Sequence, residues 1–152
     1  MSSSVQAPGR IVVGVDGSPS SRAALAWAVR QAGLTGACVE AVIAWHAPAM
    51  SGAAPFGPEV LNDWDYSGWA RDTLTHVIKQ MVDPDGPVRV SGTVREGNAA
   101  QVLLEAANGA DLLVVGSRGH GGFAEALLGS VGQACVHHGQ CPVVIVRGPK
   151  AG

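Results

Sequence analysis

The chain has 152 residues, 47% of them apolar and only 14% charged, enough for a full hydrophobic core and too apolar for a disordered chain. A formal net charge of -2 with scattered Lys and Arg leaves no electrostatic footprint for nucleic acid or anionic lipid, so neither is an expected partner. No apolar run approaches the roughly 20 residues that span a bilayer, the Ser/Ala/Pro/Gly-rich start lacks a signal core, and Cys38, Cys135 and Cys141 form no disulfide framework, so a cytoplasmic location is expected.

Strand-like and helix-like segments alternate along the chain. Ile11 to Val15 is an apolar run of the kind buried on both faces of a parallel sheet, and it breaks at Asp16-Gly17-Ser18-Pro19. Ser18 as N-cap and Pro19 at the first helical position open a helix that the pattern carries through about Gln31, with Gly33 and Gly36 marking its end. Cys38 to Trp45 is the second strand, and residues 47–58 read as an irregular loop. Leu74, Val77, Ile78, Met81 and Val82 recur at helical spacing, and Asp83-Pro84-Asp85-Gly86 stops that helix. A third strand is predicted over Val88 to Val94. Asn98 then caps a helix, with Gln101 as its capping-box partner, that ends at Gly109. Leu112 to Val115 is the most hydrophobic strand and is placed at the centre. A helix over Val131 to His138 and a strand over Pro142 to Arg147 complete the pattern. The prediction is an α/β domain over residues 10–147, a doubly wound parallel sheet with helices on both faces, and flexible tails at 1–9 and 148–152.

The chemistry concentrates after the fourth strand. Strand-to-helix loops in such folds usually have roughly two to six residues, and longer ones tend to be functional. The connection from Gly116 to Ser130 exceeds that range, and four of its first seven residues are Gly. Glycines there allow φ > 0 and close approach of the backbone to a ligand, and successive N–H groups form an anion-binding concavity. With so few cations, a bound anion must be held mainly by main-chain donors. Gly129-Ser130 opens the last helix, whose first N–H groups favour an anion. Ser130 with Gln133 also forms a capping box, which by itself accounts for the serine. Asp16 is either a turn former or a ligand contact; Arg118 and His120 either touch phosphate or are merely solvated.

The pattern Gly116-x2-Gly119-x9-Gly129-Ser130, the preceding Asp111-Leu-Leu-Val-Val-Gly-Ser-Arg-Gly, the later Cys141-Pro-Val-Val-Ile-Val and the opening Ile-Val-Val-Gly-Val-Asp-Gly-Ser-Pro resemble the ATP-binding branch of the universal stress protein family, as a single-domain member. The resemblance implies five parallel strands in the order 3-2-1-4-5 and a homodimer joined through the fifth strand. It further implies that Gly116, Ser117, Arg118, Gly119, His120, Gly121 and Gly122, with Gly129, Ser130 and Val131, wrap the phosphates of ATP. Asp16 would lie near the ribose, Gly14 and Val15 against the nucleoside, and the end of the second strand, at about His46, against adenine. Mg²⁺ beside the phosphates stays open, with no ligands assigned. The implied role is a stress regulator.

Other motifs fail. Gly119-x-Gly121-x-x-Ala124 lacks the acidic residue that a dinucleotide fingerprint needs about 20 residues on. There is no Gly-Lys-Ser/Thr phosphate loop and no Gly-x-Ser-x-Gly elbow. Cys135-x-His137-His138-x2-Cys141 has no usual zinc spacing, and packed cysteines with exposed histidines account for it. Trp64-Asp65-Tyr66 with Trp69 reads as core seam, a lid or a partner surface. Two functions remain: an ATP-binding regulator without catalytic residues, or a slow ATPase or binder of another adenine nucleotide such as AMP or cyclic AMP. An enzyme would need a placed base and metal-binding carboxylates.

Overall fold

Alternate residues of the first strand, β1 (Arg10–Gly14), serve opposite faces of the sheet in the computed structural model, which describes residues 9–46, 65–118 and 129–148. Ile11 and Val13, with Val15 just beyond, pack into one core, while Val12 packs into the other. This two-sided burial is why the run is continuously apolar. The chain continues as α1 (Pro19–Thr35), β2 (Cys38–Trp45), α2 (Tyr66–Met81), β3 (Val90–Glu96), α3 (Ala99–Ala106), β4 (Leu112–Gly116), α4 (Ser130–His138) and β5 (Val143–Val146).

The strands form one five-stranded parallel sheet in the order β3-β2-β1-β4-β5. Ala24, Leu25, Ala28 and Ala32 of α1 and Ala70, Leu74 and Val77 of α2 cover one face. Val102, Leu103 and Ala106 of α3 and Cys135 of α4 cover the other. Among the described residues, no helix is long and apolar enough to cross a membrane.

Several sequence expectations need correction. The first helix does not stop at Gln31: it runs through Gly33 to Thr35 and ends at Gly36, whose φ of 80° lets its N–H return to the Ala32 carbonyl. An added Cβ on Gly33 would meet Val88 at an ordinary 3.7 Å, so packing does not demand glycine there. The third strand lies over Val90–Glu96, not Val88–Val94, because its ladder with β2 pairs Val39 with Val90 and Trp45 with Glu96. Val82 is extended and caps α2 instead of continuing it. β1, not β4, is central; β4 lies between β1 and the edge strand β5. Asn98 does cap α3, accepting the Gln101 N–H at 3.2 Å, but the Gln101 side chain reaches Glu105 and does not complete a capping box. The loop predicted at residues 47–58 lies outside the described residues.

The amino end of the sheet is closed by side chains. Arg10 donates to Glu40 at 2.9 Å and to the carbonyls of Ala106 and Asn108 at 2.8 Å each, so one guanidinium caps the end of α3 and ties it to β2. Glu40 also accepts from Thr93 on β3, and Asp111 accepts the Arg10 N–H at 2.7 Å.

Candidate functional site

Helices leave β1 and β4 toward opposite faces, so the carboxyl ends of these adjacent strands part. The crevice at such a switch point is where open α/β sheets bind ligands. A cleft of about 380 Å³ opens there, within the range of small-molecule sites. Gly14, Val15 and Asp16 line it from β1, Gly116 and Arg118 from β4, and Gly129, Ser130, Val131 and Gly132 from the start of α4. Val42, Ala44, Ala99 and Leu103 make an apolar side.

The start of α4 is the chemically distinctive part. Ser18, Asp65 and Asn98 cap α1, α2 and α3 with side-chain oxygens. At α4 the N-cap is Gly129, and no side chain caps the helix. Ser130 is therefore not the cap that its spacing to Gln133 suggests; it is the first helical residue, and it is exposed. The Gly129 N–H is taken by the Ser117 carbonyl at 2.7 Å, and the Gln133 N–H by Gly129 at 3.0 Å. The N–H groups of Ser130, Val131 and Gly132 between them have no acceptor among the described residues. Three parallel donors at the positive end of a helix dipole, opening on a cleft, have the chemistry to accept an anionic group.

The glycines serve this site differently from the expectation. Neither Gly116 nor Gly129 has positive φ. Gly116 is required because α1 crosses it: an added Cβ would sit 2.7 Å from the Ser20 carbonyl carbon and 2.9 Å from its oxygen. A Cβ on Gly14 would meet Leu103 at 2.7 Å, so this glycine lets α3 approach the cleft floor.

Asp16 is a turn former that also borders the cleft. One carboxylate oxygen accepts the Ser18 N–H at 2.9 Å, an Asx turn leading into α1, and the residue still lines the cleft. It is the one acidic residue in the lining among those described, and no group of three His, Cys, Asp or Glu there could hold a metal. Ser117 is buried and outside the lining; its peptide bridges Val146 and Gly129 instead. His46 is exposed and also outside the lining. His46 lies one residue beyond the end of β2, and the residues that line the cleft from that strand are Val42 and Ala44. Gly119, His120, Gly121 and Gly122 lie outside the described residues.

Sequence reasoning missed Ser21, Val42, Ala44, Ala99, Leu103, Val115 and Gly132. The spacing of Ala99 and Leu103, one helical turn apart at the start of α3, is the signal that could have found two of them. Ser21 sits in the Asp-Gly-Ser-Pro turn region and accepts the Asp16 N–H at 3.3 Å.

Cys135 packs into the second core, with Cys141 against it. Cys135 is buried, and burial with Cys141 nearby pushes its thiol up to about 11; burial raises Cys141 as well. His137 and His138 are exposed. Trp69 is 43% exposed, not core, and Asp65 is the N-cap of α2, its carboxyl held below the usual range by the Gly68 N–H and the Ser67 hydroxyl.

The model of the universal stress protein family matches residues 8–147. A universal stress protein of Mycobacterium tuberculosis is 36% identical over 146 residues, covering 92% of this chain and 44% of its own length. The chain thus spans about half the length of the curated relatives it matches. Among solved structures, universal stress protein UspA from Lactobacillus plantarum superimposes with a TM-score of 0.77 at 23% identity, over 93% of this chain and 99% of that one. A universal stress protein crystallised in complex with cyclic AMP gives 0.60 at 27% identity, over 94% and 99%.

Proposed function

The chain belongs to the universal stress protein family, and from that premise we propose that residues 10–147 are an ATP-binding regulatory unit that changes conformation or partner with its nucleotide. The observation that carries the reading is the start of α4, where three N–H groups without an acceptor among the described residues face a cleft with one apolar side. A nucleotide has the matching halves, an anionic end and a flat, weakly polar base. The donors of Ser130, Val131 and Gly132, with the Ser130 hydroxyl, would hold phosphate, and Val42, Ala44, Ala99 and Leu103 would enclose the base. Asp16, with one oxygen committed to its own turn, would offer the other to ribose hydroxyls. Mg²⁺, if it accompanies ATP, would be held chiefly by the phosphates.

The role so assigned is retention and signalling, with no catalytic residue named. A second reading, another adenine nucleotide in the same cleft, is favoured by the complex of the 27% identical relative with cyclic AMP. A slow ATPase would need a base and metal-holding carboxylates beyond Asp16. The edge position of β5, half-buried along its length, supports a homodimer in which two such strands pair and remove an exposed edge. The free cysteines accord with a cytoplasmic site of action.

Titration calorimetry with ATP, AMP and cyclic AMP, beside mass spectrometry of small molecules that co-purify, tests the reading. ATP is expected to bind most tightly. Absence of heat with all three at millimolar concentration overturns it, and a burst of phosphate release matched to protein would transfer the assignment to the ATPase.

A further inference from the structure

Ser20 does not line the cleft and is 6% exposed, yet the rim of the cleft rests on it. The sheet ladder ends at Ser117, whose N–H reaches Val146 at 2.8 Å. Arg118 is the first residue beyond the ladder, and both halves of its main chain are met by one side chain. The Ser20 hydroxyl donates to the Arg118 carbonyl and accepts the Arg118 N–H at 3.3 Å, and the Ser18 hydroxyl reaches the same carbonyl at 3.3 Å.

Helix capping does not explain that hydroxyl. Ser18 is the N-cap of α1, accepting the Ser21 N–H at 3.2 Å, and Pro19 fills the first helical position. Ser20 follows in a position where alanine would serve the helix equally well. Its place is also defined from two sides. A Cβ on Gly116 would lie 2.7 Å from its carbonyl carbon, and one on Gly148, just past β5, would lie 3.0 Å from its Cβ.

We propose that Ser20 is a positioning residue for the ligand cleft, whose hydroxyl holds the Arg118 main chain where β4 delivers the chain to the ligand. The proposal rests on the reading of the cleft as an adenine-nucleotide site. Without the hydroxyl, the Arg118 main-chain groups keep the Ser18 contact but lose the Ser20 one, and are held less firmly in the ligand-free protein. Ordering them is then charged to ligand binding.

Ser20→Ala in the full chain tests it with two readouts. The Arg118 amide is expected to exchange about tenfold faster in the ligand-free protein, and ATP affinity to fall about fivefold, with the thermal midpoint unchanged. Gly148→Ala, which presses on Ser20 from the other side while keeping the hydroxyl, should produce the same pattern, and the two effects should not add. Unchanged Arg118 exchange with unchanged affinity overturns the proposal. So does a loss of affinity that only follows a lowered midpoint. If the wild-type chain binds no adenine nucleotide, the reading of the cleft fails separately, and Arg118 exchange alone then decides whether Ser20 is the clamp.

Discussion

The two ends of the sheet are built on opposite principles. At the amino end, the Arg10 guanidinium, the Glu40 and Asp111 carboxylates and the Thr93 hydroxyl close the gaps between β1, β2, β3 and α3 with charge-assisted hydrogen bonds. At the carboxyl end, small residues bring helices close and three main-chain donors have no acceptor among the described residues. Leaving a polar group unpaired is costly unless water or a ligand meets it. The contrast teaches where this fold spends its polar groups: on stability at one end, on reception at the other.

The comparison breaks most visibly at Gly116. Gly116→Ala drives a Cβ into the backbone of Ser20, so the start of α1 must move; a loss of about 3 kcal/mol is expected in chemical denaturation, together with loss of ATP binding. At the other end, Arg10→Ala removes the partner of Glu40 and two helix-terminal carbonyls. It should cost about 2 kcal/mol of stability while leaving nucleotide affinity at the wild-type value. A fall in affinity would show that the two ends are not separable.

The smallest effect is expected at Cys135, which belongs to neither end. Its folded thiol titrates at about 11 against an ordinary 9.0, so the native state keeps a proton that the unfolded state loses. Stability from this group is complete below 9.0 and declines as pH rises toward about 11. Denaturation curves across that window should show the decline, and a Cys135→Ser variant should flatten it. In native protein near about pH 8, the thiol should resist a thiol-specific reagent that modifies it once unfolded.

Much of this contrast is legible in the residues. The Asp16-Gly17-Ser18-Pro19 turn, the bounds of β2 and the position of the cleft follow from local chemistry, and the strand order from the family resemblance. What local chemistry misses is decided at long range. Gly33 and Gly36 look alike in sequence, and only the φ of 80° at Gly36 makes it the stop. The register of β3 is set by pairing with β2, which no local pattern contains. Gly116 was expected to serve a turn, and it serves contact with a helix about a hundred residues earlier in the chain. Ser130 satisfies the spacing of a capping box, but the chain enters α4 one residue earlier, at Gly129. A motif for a cap thus became the site of an absent one.

The central claim is that the bare start of α4 receives the anionic end of the ligand, and Gly129→Asn tests it most directly. At φ -71° and ψ 167° the position accepts an asparagine N-cap, whose side-chain oxygen would take the Val131 or Gly132 N–H, which has no acceptor among the described residues. Stability and affinity should then move in opposite directions. A gain of a few tenths of a kcal/mol in unfolding free energy and about a tenfold loss of ATP affinity by calorimetry are expected. An asparagine variant that is more stable and binds ATP as tightly as the wild type would contradict the claim.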